Sequence, residues 1–515
     1  MKKIISIILA ALFLLSAAAC DNTNNNNKSD STDANTTIQV TDMATTEEIA
    51  TTEEETTTPP ETTTASTTEA PVEVIEEVFK VGYSIKDITP KSFPIKLGDN
   101  KNISKVNDPI YTTCVAVNDG TTTVLIYTVD VANINADQYE LIRKRVSSAT
   151  KVPAKNILMA PTHNHSVPKL GVFGDVANNK SWTLNVVHTA MINAAKEAIA
   201  DLDDAEIYTS VGKTTGMAFV RRYFLADGSF KSIQSSNTSK SPVVAYESEA
   251  DDTVQVIRFV RENKKDVVMA NWQAHAAHAV SEIGYLISGD LVGHARTMAE
   301  SLDDDILFAL YFGASGNINL TAAISGTQKY SSYVEVGKAL GREIVNSFAS
   351  LKKVESGKIN ISCTNYTAEV RKDSEKRVAQ AEEAHSKVGT TEGNTLLKKY
   401  GFESKYDAEY TVFRNKSLGA TQDLPLTAVS FGDLAFVTVP FEMFDTNGVE
   451  IKEGSPFEMT FVLTNTGNSM AYVPSALAVP NGGYEVYTTH YAFGTAEKVV
   501  GELLSMLKTQ KKNKT

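Results

Sequence analysis

The chain has 515 residues, 42% of them hydrophobic and 22% charged, with a formal net charge of −13 and three cysteines. Residues 21–77 hold 14 acidic residues against one lysine, a net charge equal to that of the whole chain, so the remainder is close to neutral and offers no basic surface for nucleic acid. The 438 residues from position 78 onward are enough for a large core, and no CxxC pair suggests a cysteine-based zinc knuckle.

The amino terminus carries Lys2 and Lys3, the apolar run "IISIILAALFLL" and the small-residue stretch "SAAAC" ending at Cys20, the pattern of a secretory signal. A cysteine directly after three alanines resembles the lipobox of a bacterial lipoprotein, with Ala17 where leucine is usual. The sequence therefore predicts a signal peptide over 1–20, a lipid on Cys20, and an extracytoplasmic protein held at the cell membrane. A transmembrane anchor is the alternative, but the run falls short of the roughly 20 residues that a span needs. Residues 21–77 are repeated Thr and Glu with Pro59, Pro60 and Pro71. They lack the apolar side chains that would offset the entropy of ordering and are expected to form a disordered tether.

From residue 78 to 515 the chain is long enough for one large domain or two medium ones, and the pattern predicts a mixed α/β core. "FKVGYSIKDITP" reads as a strand ending at a Pro turn, and "YTTCVAVNDGTTTVLIYTVDV" as two strands joined by the Asn-Asp-Gly turn at 118–120. A helix over "ADQYELIRKRVSSAT", the strand "NILMAP" and a helix over "TLNVVHTAMINAAKEAIADL" follow. Strands "AEIYTSVGKTTGMAF", "DTVQVIRFVR" and "DVVMANWQAH" come next, then a helix near "VGHARTMAESL", the strand "ILFALYFGA" and a helix through "YVEVGKALGREIVNSFASL". Residues 370–408 are charged and read as a peripheral helical excursion. "LTAVSFGDLAFVTVPFEMF" restores two strands, and the chain closes on the helix "AEKVVGELLSMLKTQKK". The order predicts a mixed β-sheet core flanked by helices. Cys114 and Cys363 both lie in apolar strand-like runs and are expected to be buried free thiols.

Four of the eight histidines fall at or near the ends of apolar strands: His163 and His165 in "LMAPTHNHSVP", His275 and His278 in "MANWQAHAAHAV". Residues i and i+2 of an extended segment share a face, so one of the first pair can bind a metal while the other serves as a base. Glu442 in "VTVPFEMF" follows an apolar strand and a proline, a position that calls for pairing or coordination. Rival chemistries lack their motifs: Asn317 interrupts a GxSxG elbow at "FGASGN", and HExxH, a P-loop and GxGxxG are all missing.

Several segments, in order, resemble the neutral (alkaline, non-lysosomal) ceramidase family. They are "VGYSIKDITP", "NDPIYTTCVAVNDGTTTVLIYTVDV", "ILMAPTHNHSVP" against the family's "HTHSGP", "NWQAHAAH" with "LISGDLVGHA", "YFGASGNINL" against "GDVSPN" or "GDINP", "VTVPFEMF" against "PGE", and "NSMAYVPSALAVPNGGYEV". The resemblance implies a zinc hydrolase acting on an amide bond of an N-acyl, ceramide-like lipid. By motif it makes His163, His275, Glu442 and Tyr472 the Zn2+ ligands and His165 the acid/base or polarising histidine. Tyr484 and an arginine of "FVRRYFLADGS", either Arg221 or Arg222 with Arg221 preferred, would hold the carbonyl oxygen. Asp290 in "SGD" is expected to orient loop backbone or a ligand histidine, and His188 and His294 to be structural.

The chain departs from that family at Asn164 and Val167 in the first histidine motif, and at Asn317 and Asn319, where the family has aspartate and serine. It also ends soon after the tyrosine block, so the immunoglobulin-like carboxyl-terminal domain of the true ceramidases is not expected, and the resemblance does not imply ceramide itself as the substrate. Two alternatives remain: a metal-dependent esterase or lactonase with the same site, and a non-catalytic surface lipoprotein that binds lipid or glycan. Deleting residues 21–77 should leave the melting temperature unchanged, because a tether contributes no packed surface; a large drop in a thermal scan would contradict the tether.

Overall fold

A computed structural model of the chain describes residues 79–97, 101–171, 177–235, 237–467 and 471–512. The signal peptide, Cys20 and the tether lie outside the described residues. No helix among the described residues is long and apolar enough to cross a membrane.

The principal strands are β1 (Lys80–Asp87), β2 (Tyr111–Asn118), β3 (Thr123–Val129), β4 (Ile157–Pro161), β5 (Asp203–Lys213), β6 (Thr253–Arg261), β7 (Asp266–Trp272), β8 (Ile306–Phe312) and β9 (Lys352–Val354). They form one nine-stranded sheet in the order β8-β7-β6-β5-β1-β2-β3-β4, with β9 added to β5. The β7·β8 and β3·β4 pairs are parallel and β1·β2, β2·β3, β5·β6 and β6·β7 antiparallel, so the sheet is mixed. A second, four-stranded sheet runs β10 (Asn360–Glu369), β11 (Thr421–Phe431), β12 (Leu434–Thr438) and β14 (Met459–Leu463). Between β12 and β14, the two-residue strand β13 (Glu442–Met443) pairs in parallel with β15 (Tyr472–Val473).

The two sheets pack face to face, and the alternation of side chains shows it. Val115 and Val117 of β2, Val267 and Met269 of β7, Leu434 and Phe436 of β12 and Met459 and Phe461 of β14 share one buried cluster. The intervening residues point the other way. Cys114, Ala116 and Tyr127 meet helices α1 (Ala136–Thr150) and α2 (His188–Ala200). Val268, Ala270 and Trp272 meet α3 (Asp290–Leu302) and α4 (Tyr333–Asn346). Ala435, Val437 and Val462 meet α8 (Asp445–Gly454) and α10 (Thr495–Lys512). The result is four layers, helix, sheet, sheet, helix. Strands buried on both faces read in the sequence as continuous apolar runs rather than as alternating ones.

Close approach of α4 to α3 depends on Gly337 and Gly341: a β-carbon on either would fall 2.5 Å from the Leu291 or Ala295 carbonyl oxygen. Helices α5 (Glu375–Ser386), α6 (Thr391–Lys399) and α7 (Lys405–Lys416) form the excursion between β10 and β11 and carry a small core of their own. Cys363 corrects one expectation. It is exposed and free, because β10 is an edge strand with few fully buried side chains, whereas Cys114 is buried and free.

Phe436 is fully buried between Phe431 and Phe461, with ring centroids at 5.5 and 5.2 Å. Phe436→Ala opens a cavity where the two sheets meet, and denaturant unfolding should show a loss of about 3 to 5 kcal/mol.

Candidate metal centre

The two histidines of the centre stand just past strand ends, and the carboxylate opens a short strand of its own. Strand β4 is buried along its whole length and delivers His163, whose φ of +49° turns the chain sharply out of the sheet. The His163 Nδ1 lies 2.8 Å from the Ala132 carbonyl, which can only accept, so Nδ1 carries the ring proton and Nε2 faces inward as a lone pair. Strand β7 delivers His275 two residues beyond Gln273, almost fully buried. Strand β13 delivers Glu442, and its pairing with β15 sets Tyr472 directly beside it.

Glu442 Oε2 is the point on which these groups converge. It lies 3.1 Å from His275 Nε2 and 3.4 Å from His163 Nε2. The His165 Nε2 is 3.3 Å from that of His163. His163 and Glu442 thus turn lone pairs toward one another, an arrangement that is repulsive until a cation, proton or metal, lies between them. The titration shifts state the same fact for the proton. Burial disfavours charge on both partners, yet their mutual attraction overcomes it, holding His163 above its ordinary value and Glu442 well below. His275 is pulled down to about 4 by burial and by Arg221.

His163, His275 and Glu442 fit a zinc ion on chemistry and on spacing. A tetrahedral centre with bonds of about 2.0 to 2.1 Å holds neighbouring ligand atoms about 3.3 to 3.4 Å apart, and the two contacts to Glu442 Oε2 are 3.1 and 3.4 Å. The three ligand atoms all lie within 4.8 Å of one another. Two imidazole nitrogens with a carboxylate oxygen form a donor set that suits zinc. The Tyr472 phenol is buried beside them, held neutral first by burial and then by Glu442.

Arg221 forms the next side of the site. It follows the short pairing of Phe219–Val220 with Ile318–Asn319. Its Nε donates to Glu485 Oε1 at 2.8 Å, its second amino group donates to the Gly316 carbonyl at 2.7 Å, and its guanidinium lies 5.2 Å from the Tyr472 ring centre. Tyr484 opens the short helix α9 (Tyr484–Thr488), half-buried, 5.6 Å from Tyr472 and 5.7 Å from Tyr406, ring to ring. His165 stands at the rim, exposed to solvent, its backbone N–H bonded to the Ala276 carbonyl at 2.9 Å.

Two solved structures resemble the chain. A ceramidase complexed with C2 has a TM-score of 0.61 at 14% identity, over 85% of this chain and 76% of that one. The neutral ceramidase from Pseudomonas aeruginosa has a TM-score of 0.62 at 14% identity, over 85% and 75%. The chain has the neutral ceramidase fold. No protein-family model and no curated protein matches it.

On that ceramidase fold the two adjacent arginines share Glu485, and Arg221 is the one beside His275 and Tyr472. Arg222 is fully buried and holds Glu247 through bonds of 2.6 and 2.8 Å and Glu485 Oε2 at 2.8 Å. Asn317 makes a reciprocal pair with Asp445, donating to Oδ1 at 2.6 Å and accepting the Asp445 backbone N–H at 2.9 Å, while Gly316 N–H bonds to the Met443 carbonyl. These bonds fasten the loop after β8 to the strand that carries Glu442. Asn164 is fixed in the same way, since its amide donates to the Ser288 carbonyl and accepts the Ser166 N–H, both at 2.7 Å. Asp290 accepts the backbone N–H groups of His278, Ala279 and Leu291 and so shapes the loop after His275. His278 turns to Thr321, His188 to Arg145 and His294 to Tyr333, all away from the cluster.

Sequence reasoning missed two features. Glu485, fully buried, bridges Arg221 and Arg222; its only mark in the sequence is an acid inside "GGYEVY". Helix α7 brings Tyr406 against Tyr484, so the excursion forms a wall of the site rather than a purely peripheral insert. Replacing Glu485 with Ala leaves two guanidinium groups buried without their shared partner. Denaturant unfolding of the variant should show a loss of about 3 to 5 kcal/mol.

Proposed function

We propose that the chain is a zinc-dependent hydrolase that cleaves an amide bond in an N-acyl, ceramide-like lipid. The observation that carries this reading is the convergence of His163 and His275 on one oxygen of Glu442, at 3.4 and 3.1 Å. The fold it shares with two ceramidase structures supports the substrate class.

In this reading His163, His275 and Glu442 hold the metal, and Tyr472 completes the set. Zinc supplies Lewis acidity and a water whose pKa falls to about 7. The chain's own residues do the rest. Arg221 is fixed by Glu485 and the Gly316 carbonyl, so it needs no reorganisation to face the developing oxygen charge. Tyr484 is a neutral phenol at neutral pH and can donate to the same oxygen. His165, at the rim and 3.3 Å from His163, is the group placed to take a proton from water and return it to the leaving nitrogen. A lipid anchor at Cys20 would hold the site close to a membrane that contains such substrates.

The test combines metal content with turnover. His163→Ala and Glu442→Ala should each lose stoichiometric zinc by elemental analysis of the purified protein; normal zinc in either would remove the basis of the assignment. His165→Ala should keep zinc and lose about 10²- to 10⁴-fold in turnover. Assaying a ceramide beside short aryl esters separates an amidase from an esterase that spares amides.

A further inference from the structure

A cavity of about 790 Å³ lies between the α5–α7 excursion and the segment 479–487, outside the metal centre. Its wall carries Arg371, Lys372, Arg377 and Arg414 together with Asp373 and Asp407. Two of the cations are already answered: Arg414 Nε bonds to Asp373 at 2.7 Å, and Arg377 reaches Asp407 at 3.1 Å. The other two meet no carboxylate among the described residues. Lys372 Nζ donates to the carbonyls of Arg414 and Leu418, both at 2.8 Å. Arg371 directs its two amino groups to the carbonyls of Val486 and Tyr487, at 2.9 and 3.2 Å.

The Nε donor of Arg371 is buried and has no hydrogen-bond partner among the described residues. Phe493 covers one face of the guanidinium, 5.0 Å from the ring centre, which shields it from water without neutralising it. Burial and the nearby charge of Arg414 outweigh the pull of Asp373 and Asp407 and bring Arg371 down to about 10. Glu369, at the rim, is exposed and makes no ion pair with either cation. A half-buried guanidinium with a spare donor and no salt bridge of its own leaves hydrogen-bonding capacity unused, and a planar fork of N–H groups matches the oxygens of a phosphate.

We propose that this cavity is an anion site, in which Arg371 and Lys372 bind the phosphate group of a small phosphate ester or of a lipid headgroup. The site shares no residue with the proposed metal ligands, so its test is independent of the hydrolase reading.

Full-length protein is titrated calorimetrically with inorganic phosphate at constant ionic strength, and separately with vesicles of phosphatidylglycerol or phosphatidylcholine. Saturable phosphate binding should appear in the native chain and weaken at least about tenfold in Arg371→Gln. Lys353→Gln, a surface lysine paired with Glu206 on the far sheet, should leave it unchanged. If Arg371→Gln fails to fold, judged by circular dichroism, Lys372→Gln should show the same weakening. Binding to phosphatidylglycerol vesicles that free phosphate displaces and Arg371→Gln abolishes would place a lipid headgroup in the site; phosphate binding without vesicle binding would place a soluble ester there. No saturable phosphate binding by the native chain, or binding that neither variant weakens, overturns the proposal.

Discussion

A carboxylate buried at the bottom of the site sets the terms for everything around it. Glu442 is 7% exposed, and against that burial His163 and His275 hold its carboxyl well below the ordinary range; an ion taken out of water must be answered by positive charge and hydrogen bonds or it will not stay charged. Two imidazoles answer it through one oxygen, and Arg221 stands behind Tyr472. Each answering group is itself held. The Ala132 carbonyl fixes the His163 tautomer, and Glu485 with the Gly316 carbonyl fixes Arg221. A group fixed in this way need not reorganise when charge develops, which is the physical meaning of a preorganised site.

The sandwich makes that arrangement possible. Facing sheets bury strands on both sides, so the backbone turns outward only at strand ends, and the parallel pairs β3·β4 and β7·β8 bring β4 and β7 to an end where loops can meet. The second sheet contributes Glu442 from the connection between its parallel strands β12 and β14. Strained backbone positions cluster there too: His163, Asp290 and Asn465 all have positive φ, and Asn465 lies 3.4 Å from His163. Backbone held in a sparsely populated region by surrounding bonds is a common mark of a working site.

The excursion of α5 to α7 joins two regions with different electrostatics. On one side Tyr406 of α7 faces Tyr484, which in turn meets Tyr472. On the other, Arg414 of the same helix and Arg371 just after β10 hold the carbonyls of α9. Helix α9 is therefore gripped from both directions, Tyr484 and Glu485 toward Tyr472 and Arg221, Val486 and Tyr487 toward the cationic cavity.

Much of this was legible in the residues. Apolar period and turn chemistry placed the strands and helices, because strand burial and helix amphipathicity are local patterns. The histidines at strand ends and the glutamate after "VTVP" marked a centre, because such groups are out of place there without a partner. The sequence could not say that Cys363 is exposed, since an edge strand and a central one share the same composition. Nor could it separate Arg221 from Arg222, find Glu485 or seat Tyr406 by the site. Those depend on which distant segments lie side by side, 263 or more residues apart for the Glu485 clamp. Local pattern settles which stretches form strands and which side chains can do chemistry. Which of those side chains meet is settled in three dimensions, because a charge is paired or stranded only by the neighbours that folding brings to it.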